Sequence, residues 1–345
     1  MTALSGHLSM HPIFATELVN GAFGDPALYV DFKFENRALL FDLGDLGALP
    51  PKKILRLSDV FVSHAHMDHF CGFDRLLRVC LGRDTALRLY GPPGFIDQVE
   101  HKLAAYTWNL VENYQGDFTL FVHEVAPDWR VGVARFRCRE RFRREPMLGR
   151  ECSGDVLLDE PAFRVRAAFL DHKTACLAFA VEEKMHVNVW KNRLAEMGLE
   201  VGPWLRELKH AVMEGARQDA RVRAWWRDRD GLHERSFALG ELKARVLHLV
   251  RGERLCYVTD IVYHEDNERR VAALAADADC LFIECVFLEE DAAHAARKFH
   301  LTARQAGRIA RTAGARVVVP FHFSPRYTER EGELRAELER GRNGY

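Results

Sequence analysis

Net charge, paired cysteines and long apolar runs are all missing from this chain of 345 residues; the last two absences each close off a class of function, and the first neither demands nor excludes nucleic acid. Lysine and arginine number 49 against 50 aspartates and glutamates, a formal charge of −1. No overall field therefore draws the protein to nucleic acid or membrane, and local patches must decide its partners. Eight cysteines (Cys71, Cys80, Cys138, Cys152, Cys176, Cys256, Cys280, Cys285) show no Cys-x-x-Cys spacing and mostly sit within apolar runs. They read as reduced core thiols of a cytoplasmic protein, against a zinc–thiolate site or a disulfide framework. No apolar stretch approaches a membrane span, and residues 1–19 lack the basic start and continuous apolar run of a secretory signal. The expectation is a cytoplasmic protein with no membrane partner. Internal repeats and low-complexity tracts are absent too. What remains is 48% hydrophobic, enough for one large core or two moderate ones.

What the chain does have is Ser63-His64-Ala65-His66-Met67-Asp68-His69, three imidazoles and a carboxylate within six residues. Asp59-Val60-Phe61-Val62 before it reads as a short buried strand, and residues 70–81 after it have the apolar spacing of a helix. The cluster thus falls on a strand-to-helix turn, where side chains converge on a cleft. Neutral imidazole and carboxylate oxygen are the donors that zinc and its divalent neighbours prefer. In an alternating turn, His64 and His66 point the same way and grip one ion, while Asp68 and His69 reach a second. A surface histidine patch accounts for two histidines but poorly for this foursome.

The pattern His-x-His-x-Asp-His resembles the signature of the metallo-β-lactamase superfamily. Three later residues fit the ligands that a two-metal site still needs. His172 ends Phe169-Leu170-Asp171-His172, Asp260 ends Leu255-Cys256-Tyr257-Val258-Thr259-Asp260, and His322 follows Val317-Val318-Val319-Pro320-Phe321. Each stands at the tip of an apolar, strand-like run, where a site on the edge of a packed sheet needs it. The resemblance implies His64, His66 and His172 on one metal, Asp68, His69 and His322 on the other, and Asp260 bridging. It also implies an α/β fold, a four-layer αββα sandwich.

The pattern of the chain agrees. Strands are expected at 27–34, 37–41, 86–90, 118–125, 131–142, 162–170, 175–181, 244–250, 254–259, 280–286 and 316–320. Helices are expected at 95–106, 265–275 and 302–313, with a charged helix at the end. Residues 182–240 interrupt the strands with helix-like sequence and are read as an arm-like segment within a single domain spanning 1–345.

The C-terminal third narrows the resemblance. Asp279-Cys280-Leu281-Phe282-Ile283-Glu284-Cys285, Lys298-Phe299-His300-Leu301-Thr302 and Phe321-His322-Phe323-Ser324-Pro325-Arg326-Tyr327 look like ribonuclease Z, the endonuclease that trims the 3′ end of precursor tRNA. Tyr90-Gly91-Pro92-Pro93-Gly94 and Gly198-Leu199-Glu200-Val201-Gly202-Pro203 add to the likeness. Two departures bear on substrate: Asp42-Leu43-Gly44-Asp45 lacks the fuller Asp-x-Gly-Glu-Gly-Thr pattern, and no glycine-rich opening is evident before residue 30. The resemblance implies precursor tRNA as partner, a protruding helical arm at 182–240, and a homodimer. Two divalent ions are implied, zinc first, although the same donors accept manganese or iron.

In such a site Asp68 ligates and also orients water or takes its proton, and His300, at a helix start outside the ligand set, is read either as the group that protonates the departing ribose oxygen or as an N-terminal helix contact. Glu284 is read either as the partner that orients His300 or as a buried structural carboxylate, and Asp171 and Thr259 as supports for ligand imidazoles. Phosphate recognition needs cations, and residues 130–150 hold eight arginines against Glu140 and Glu145, a local balance of +6. In one strand, Arg135, Arg137, Arg139, Arg141 and Arg143 would share a face suited to a polyanion. The competing reading pairs those arginines with acids elsewhere. The 182–240 segment has a net charge of only +1, and Trp225 and Trp226 there either stack on bases or pack into their own domain. His248 reads as a core residue. Three functions compete: a tRNA 3′-processing endonuclease; a hydrolase of the same fold acting on a small ester, phosphodiester or sulfate ester; and a binding protein without catalysis, against which the full ligand set argues.

Overall fold

The computed structural model describes residues 13–345 apart from 34, 185 and 230. Residues 1–12 of the N-terminal reading, and Phe34 at the end of the expected strand 27–34, lie outside the described residues. The chain divides into two compact units. One comprises Met1–Leu157, Arg166–Ala180 and Leu255–Tyr345; the other comprises Leu158–Val165 and Val181–Arg254.

Eight strands form the first sheet in chain order: β1 (Phe14–Leu18), β2 (Leu28–Phe32), β3 (Ala38–Phe41), β4 (Leu57–Phe61), β5 (Ala86–Gly91), β6 (Thr119–Val125), β7 (Arg130–Arg137) and β8 (Arg144–Glu151). Its middle, β3 to β6, is parallel and its flanks are antiparallel. In the second sheet β9 (Val156–Asp159), β10 (Phe163–Asp171) and β11 (Ala175–Glu183) lie beside a later trio. The strands β12 (His186–Val189), β13 (Arg221–Asp228), β14 (Gly231–Ala238) and β15 (Leu247–Val250) come between them in the chain. The trio β16 (Arg254–Val258), β17 (Cys280–Glu284) and β18 (Val317–Phe321) is parallel, and the sheet runs β18-β17-β16-β11-β10-β9.

Alternating side chains explain the layering. One face of the first sheet packs Leu40, Val60 and Leu89 under the helices Phe73–Cys80 and Phe95–Ala104, with Leu76, Leu77, Phe95 and Val99 buried. One face of the second buries Val258, Leu281 and Ile283 under the helices Glu265–Leu274, Ala303–Thr312 and Glu331–Asn343. Between the sheets, Phe41 and Phe61 stack at 5.2 Å and both meet Phe179 at 5.6 Å; Tyr257 lies 5.9 Å from Phe41. These large aromatics close the inner layer, and such pairs add to their burial through ring geometry.

Several local expectations need correction. The helix expected over 70–81 is two short ones, Met67–Phe70 and Phe73–Cys80. Gly72 lies between them because the 43–46 loop presses on it: a Cβ there would stand 2.1 Å from the Gly44 carbonyl oxygen. The strand expected over 131–142 stops at Arg137, since residues 138–140 form a 3-10 turn and Arg141 and Phe142 are left-handed. Of the strand expected over 244–250, residues 244–246 finish the helix Leu239–Val246, whose Leu239, Leu242 and Val246 point inward.

The second unit is not simply helical. Its segment 182–240 carries the helices Lys191–Glu196 and Trp204–Met213 together with the hairpin β13–β14. Trp204, Leu208, Val222, Ala224, Trp226 and Leu242 form its core. Trp226 is buried and stacks on His233 at 5.3 Å, and Trp225 packs against the same core. His248 is half-buried, edge-on to Trp190 at 5.6 Å.

Candidate metal centre

Parallel strands deliver their carboxyl ends to one place, where open α/β sheets hold their sites. Asp42 follows β3, His64 follows β4, His172 follows β10, Asp260 follows β16, Glu284 ends β17 and His322 follows β18. Asp68 and His69 come from the short helix Met67–Phe70. Asp42, Asp260 and His322 turn away from their strands with φ of 59°, 49° and 59°, a conformation that side-chain-bearing residues adopt rarely and that clusters at functional sites.

All seven residues expected to hold metal are brought together. His64, His66, His172 and Asp260 offer ligand atoms within 4.8 Å of one another, and so do Asp68, His69 and His322. Asp260 links the groups. Its Oδ2 lies 3.6 Å from His64 Nε2 and 3.3 Å from His172 Nε2; its Oδ1 lies 3.4 Å from His69 Nε2 and 2.9 Å from His322 Nδ1. Asp68 Oδ2 faces His69 Nε2 at 3.5 Å and His322 Nε2 at 3.3 Å.

The surroundings fix which nitrogen looks inward. His64 Nδ1 bonds Ser63 Oγ at 3.1 Å, His69 Nδ1–H donates to Asp42 at 2.9 Å, and His172 Nδ1–H donates to the Phe299 carbonyl at 2.8 Å. Partners of this kind set tautomer and ring orientation for metal ligands. Thr259 donates to Asp260 at 2.8 Å. Asp171 instead accepts the Lys173 N–H at 2.8 Å and touches none of the ligand imidazoles, so its expected support role is corrected: it shapes the turn.

The donor set fits divalent cations. Buried polar atoms are ordinarily hydrogen-bonded, yet His64 Nε2, His69 Nε2 and His322 Nδ1 are buried without a hydrogen bond and converge on Asp260. Electrostatics agree. Burial, then the charge of His69, pushes His64 down to about 2. Burial pulls His69 and His322 down as well, but carboxylates overcome it, lifting His69 well above its usual range and His322 to about 10. Burial alone would raise Asp260, yet His69 and His322 hold it far below the ordinary carboxylate range. Buried carboxylates and crowded imidazoles thus compete for positive charge in a space shaped for N/O ligation.

His300 stands beside this group. Its ring centroid is 5.0 Å from His172 and 5.6 Å from His322, and its side chain is 18% exposed. Its Nδ1–H donates to Glu284 at 2.8 Å, and Glu284 also accepts the Ile261 N–H at 2.8 Å. Burial opposes protonation of His300, but Glu284 outweighs it and raises the imidazole.

Sequence reasoning missed Asp42 as a partner. Fully buried, it accepts from Ser63 N–H at 2.6 Å and from Ser63 Oγ, His69 Nδ1 and Tyr257 OH at 2.9 Å each. The signal was present, because Ala38-Leu39-Leu40-Phe41-Asp42 is an apolar strand ending on a carboxylate, as the approach to Asp260 is.

The row of five arginines on one strand face does not form. Arg135 and Arg137 stay on β7 but bond Glu145 at 3.0 and 3.2 Å, and Arg141 lies 3.6 Å from Glu112 beyond the strand end. Arg137 and Arg139 line a cleft of 320 Å³ with Glu112, Asp117 and Glu140. Left-handed turns at Arg141 and Phe142 break the alternation on which the row depended.

Comparison with known proteins places these features in context. Residues 244–323 match a beta-lactamase superfamily domain. Ribonuclease Z of Deinococcus radiodurans is 33% identical over 298 residues, covering 84% of this chain and 83% of that protein. Ribonuclease Z of Haloferax volcanii is 28% identical over 328 residues, covering 90% and 82%. Among solved structures, the metallo-beta-lactamase fold protein YhfI from Bacillus subtilis matches with TM-score 0.51 and 16% identity, over 93% of this chain and 90% of that one. The short form of human tRNase Z matches with TM-score 0.51 and 18% identity, over 91% and 93%. At these identities the two structures speak to fold alone. Among the described residues no helix is long and apolar enough to cross a membrane.

Proposed function

We propose, from the premise that this chain belongs to the metallo-β-lactamase superfamily and is related to ribonuclease Z, that it is a metal-dependent phosphodiesterase that trims the 3′ end of precursor tRNA. The observation that carries the reading is His300, an imidazole whose Nδ1–H is seated on buried Glu284 at 2.8 Å and whose ligand atoms group with those of Asp260, Glu284 and His322 within 4.8 Å, at the edge of the cluster expected to hold metal. A hydrolase acting on a ribose leaving group needs such a donor on the far side of the phosphorus.

In this reading His64, His66 and His172 would hold one cation and Asp68, His69 and His322 a second, with Asp260 as a ligand shared between the groups. When bound, two divalent ions, zinc first, supply Lewis acidity to the phosphoryl group and bring the pKa of water toward neutrality. The chain's own side chains do the rest. Asp68, half-exposed at the mouth, orients the attacking water and accepts its proton. Glu284 holds Nδ1–H of His300, which fixes the ring and aims Nε2 at the departing 3′ oxygen. The products are a tRNA ending in a 3′-hydroxyl and a trailer with a 5′-phosphate.

One observation favours a second reading, hydrolysis of a small ester, phosphodiester or sulfate ester. The arginines that would have met an RNA backbone are met by Glu145, Glu112 and Asp117.

The test is cleavage of a 3′-extended precursor tRNA by metal-loaded protein, beside a small phosphodiester reporter and His300→Ala. A single cut at the base of the acceptor stem, slowed about 10²–10⁴-fold in the variant with metal content unchanged, is the expected outcome. Reporter turnover with the tRNA left whole would move the protein to the small-substrate class.

A further inference from the structure

Two turns at the rim of the centre are wound against the preference of their residues. Lys173, next after His172, and Phe299, just before His300, each have φ of 61°. Left-handed backbone is costly for residues with large side chains and persists where the surroundings enforce it, often at functional sites. Here His172 Nδ1–H bonds the Phe299 carbonyl at 2.8 Å and Asp171 takes the Lys173 N–H at 2.8 Å. The clasp brings the Lys173 ammonium to 5.6 Å from the centre of the Phe299 ring, whose centroid is 6.5 Å from that of His172.

Lys298 precedes Phe299 as the last residue of the helix Ala292–Lys298 and is exposed, as Lys173 is. Neither ammonium has a carboxylate partner among the described residues. Of the guanidiniums nearby, Arg297 meets His294 at 3.3 Å, Arg326 lies 3.4 Å from Asp291, and Arg330 bonds Glu290 and Glu333 at 2.8 Å. A lysine at a helix end also complements the carbonyl dipoles there. That role explains Lys298 in part. It explains neither Lys173 nor the two strained turns clasped together beside His300.

We infer that Lys173, over the Phe299 ring, and Lys298, the exposed residue just before Phe299, form a phosphate-binding subsite for the nucleotide adjoining the scissile bond. The inference rests on the polynucleotide reading above, since a substrate with one phosphate has nothing to place there and a strand has. Lysine is a compact point charge suited to a phosphate oxygen, and the half-buried Phe299 ring gives the attached base a face to stack on. The hydrogen bond that orients His172 also holds Phe299, so the subsite and the ligand cluster share one brace.

The test is binding of a short single-stranded oligoribonucleotide to metal-loaded protein, followed by fluorescence anisotropy across a salt series. The variants are Lys173→Gln, Lys298→Gln, the double variant, and Lys173→Arg with Lys298→Arg. Each phosphate contact to a single strand contributes about 0.7 to the slope of log K against log salt. The slope therefore falls by about 0.7 in each glutamine variant and about 1.4 in the double, with affinity down roughly tenfold in the double at moderate salt. The arginine pair restores both. An unchanged slope in the double variant, or a loss that arginine does not rescue, overturns the subsite; so does wild-type protein that fails to bind the strand. Because binding is read without cleavage, a wild type that binds but leaves precursor tRNA whole defeats the proposed function and spares this inference.

Discussion

Two histidine–carboxylate pairs lie a short distance apart in this protein, and the same chemistry meets two environments. His69 gives its Nδ1 proton to Asp42 at 2.9 Å, and His300 gives its own to Glu284 at 2.8 Å. The first pair is sealed, with 0% of either side chain exposed, and the free nitrogen of His69 looks at Asp260 and Asp68. The second pair keeps 18% of its imidazole exposed over a fully buried glutamate. A sealed pair surrounded by acids suits an imidazole that holds a cation. A pair open on one side suits one that delivers a proton. The carboxylate braces the ring in both cases, and what the far nitrogen faces decides the task.

Removing the sealed brace is expected to do the most damage. Asp42→Asn leaves the His69 Nδ1–H, Tyr257 OH and Ser63 donors competing for one neutral amide in a dry site. The expected cost is about 3–5 kcal/mol of stability and a 10–100-fold loss of metal affinity, read by thermal unfolding and by chelator competition. Full metal retention would show that the brace is dispensable.

His123 sharpens the contrast from outside the site, as a largely buried imidazole with no carboxylate bonded to it. It stacks on Tyr90 at 4.5 Å, and its Nδ1 is buried without a partner. Burial, reinforced by Arg150 and Arg88 and opposed by Asp59, pushes it down to about 4 from 6.5. Because the folded value is depressed, the stability it confers is complete above pH 6.5 and drains away as pH falls toward 4. The loss is as much as about 3 kcal/mol. His123→Phe keeps the stack and is expected to flatten that part of the stability–pH curve; equal acid sensitivity in both proteins would refute the assignment.

Glu284→Gln is the mildest cut. The amide oxygen can still receive the Ile261 N–H, but the charge behind His300 is gone. Turnover of a phosphodiester is expected to fall by roughly tenfold, less than the 10²–10⁴-fold that a positioned acid contributes, because the imidazole itself remains, while bound metal stays constant. A parallel loss of metal would mean that the two pairs do not have separate tasks.

Much of the centre was legible from sequence because its side chains are chemically unusual for their positions. A histidine or aspartate at the tip of an apolar strand has little reason to be there in a core, so His172, Asp260 and His322 stood out. Asp42 obeyed the same rule and was passed over because it came without neighbouring histidines. The arginine row failed for a different reason. Alternation is a strand property, and nothing in Arg137-Cys138-Arg139-Glu140-Arg141-Phe142 announces the 3-10 turn and two left-handed residues that end the strand. The hairpin of the second unit was readable: Val222, Ala224 and Trp226 alternate inward, and an Asp-Gly step precedes the return strand. Adjacent tryptophans among basic residues masked that period. Gly72 broke an otherwise helical pattern through a loop nearly thirty residues upstream, which no local window contains.

The three twisted strand tips, Asp42, Asp260 and His322, place the centre in opposition to the scaffold that carries it. At Asp260 and His322 glycine would sit more comfortably in the backbone and release left-handed strain of about 1–2 kcal/mol per residue, whereas at Asp42 the lost brace outweighs that gain. The fold would gain firmness and lose its chemistry together. Variants selected only for resistance to heat should therefore drift toward glycine at Asp260 and His322, and their arrival would mark the point at which selection had stopped asking for a reaction.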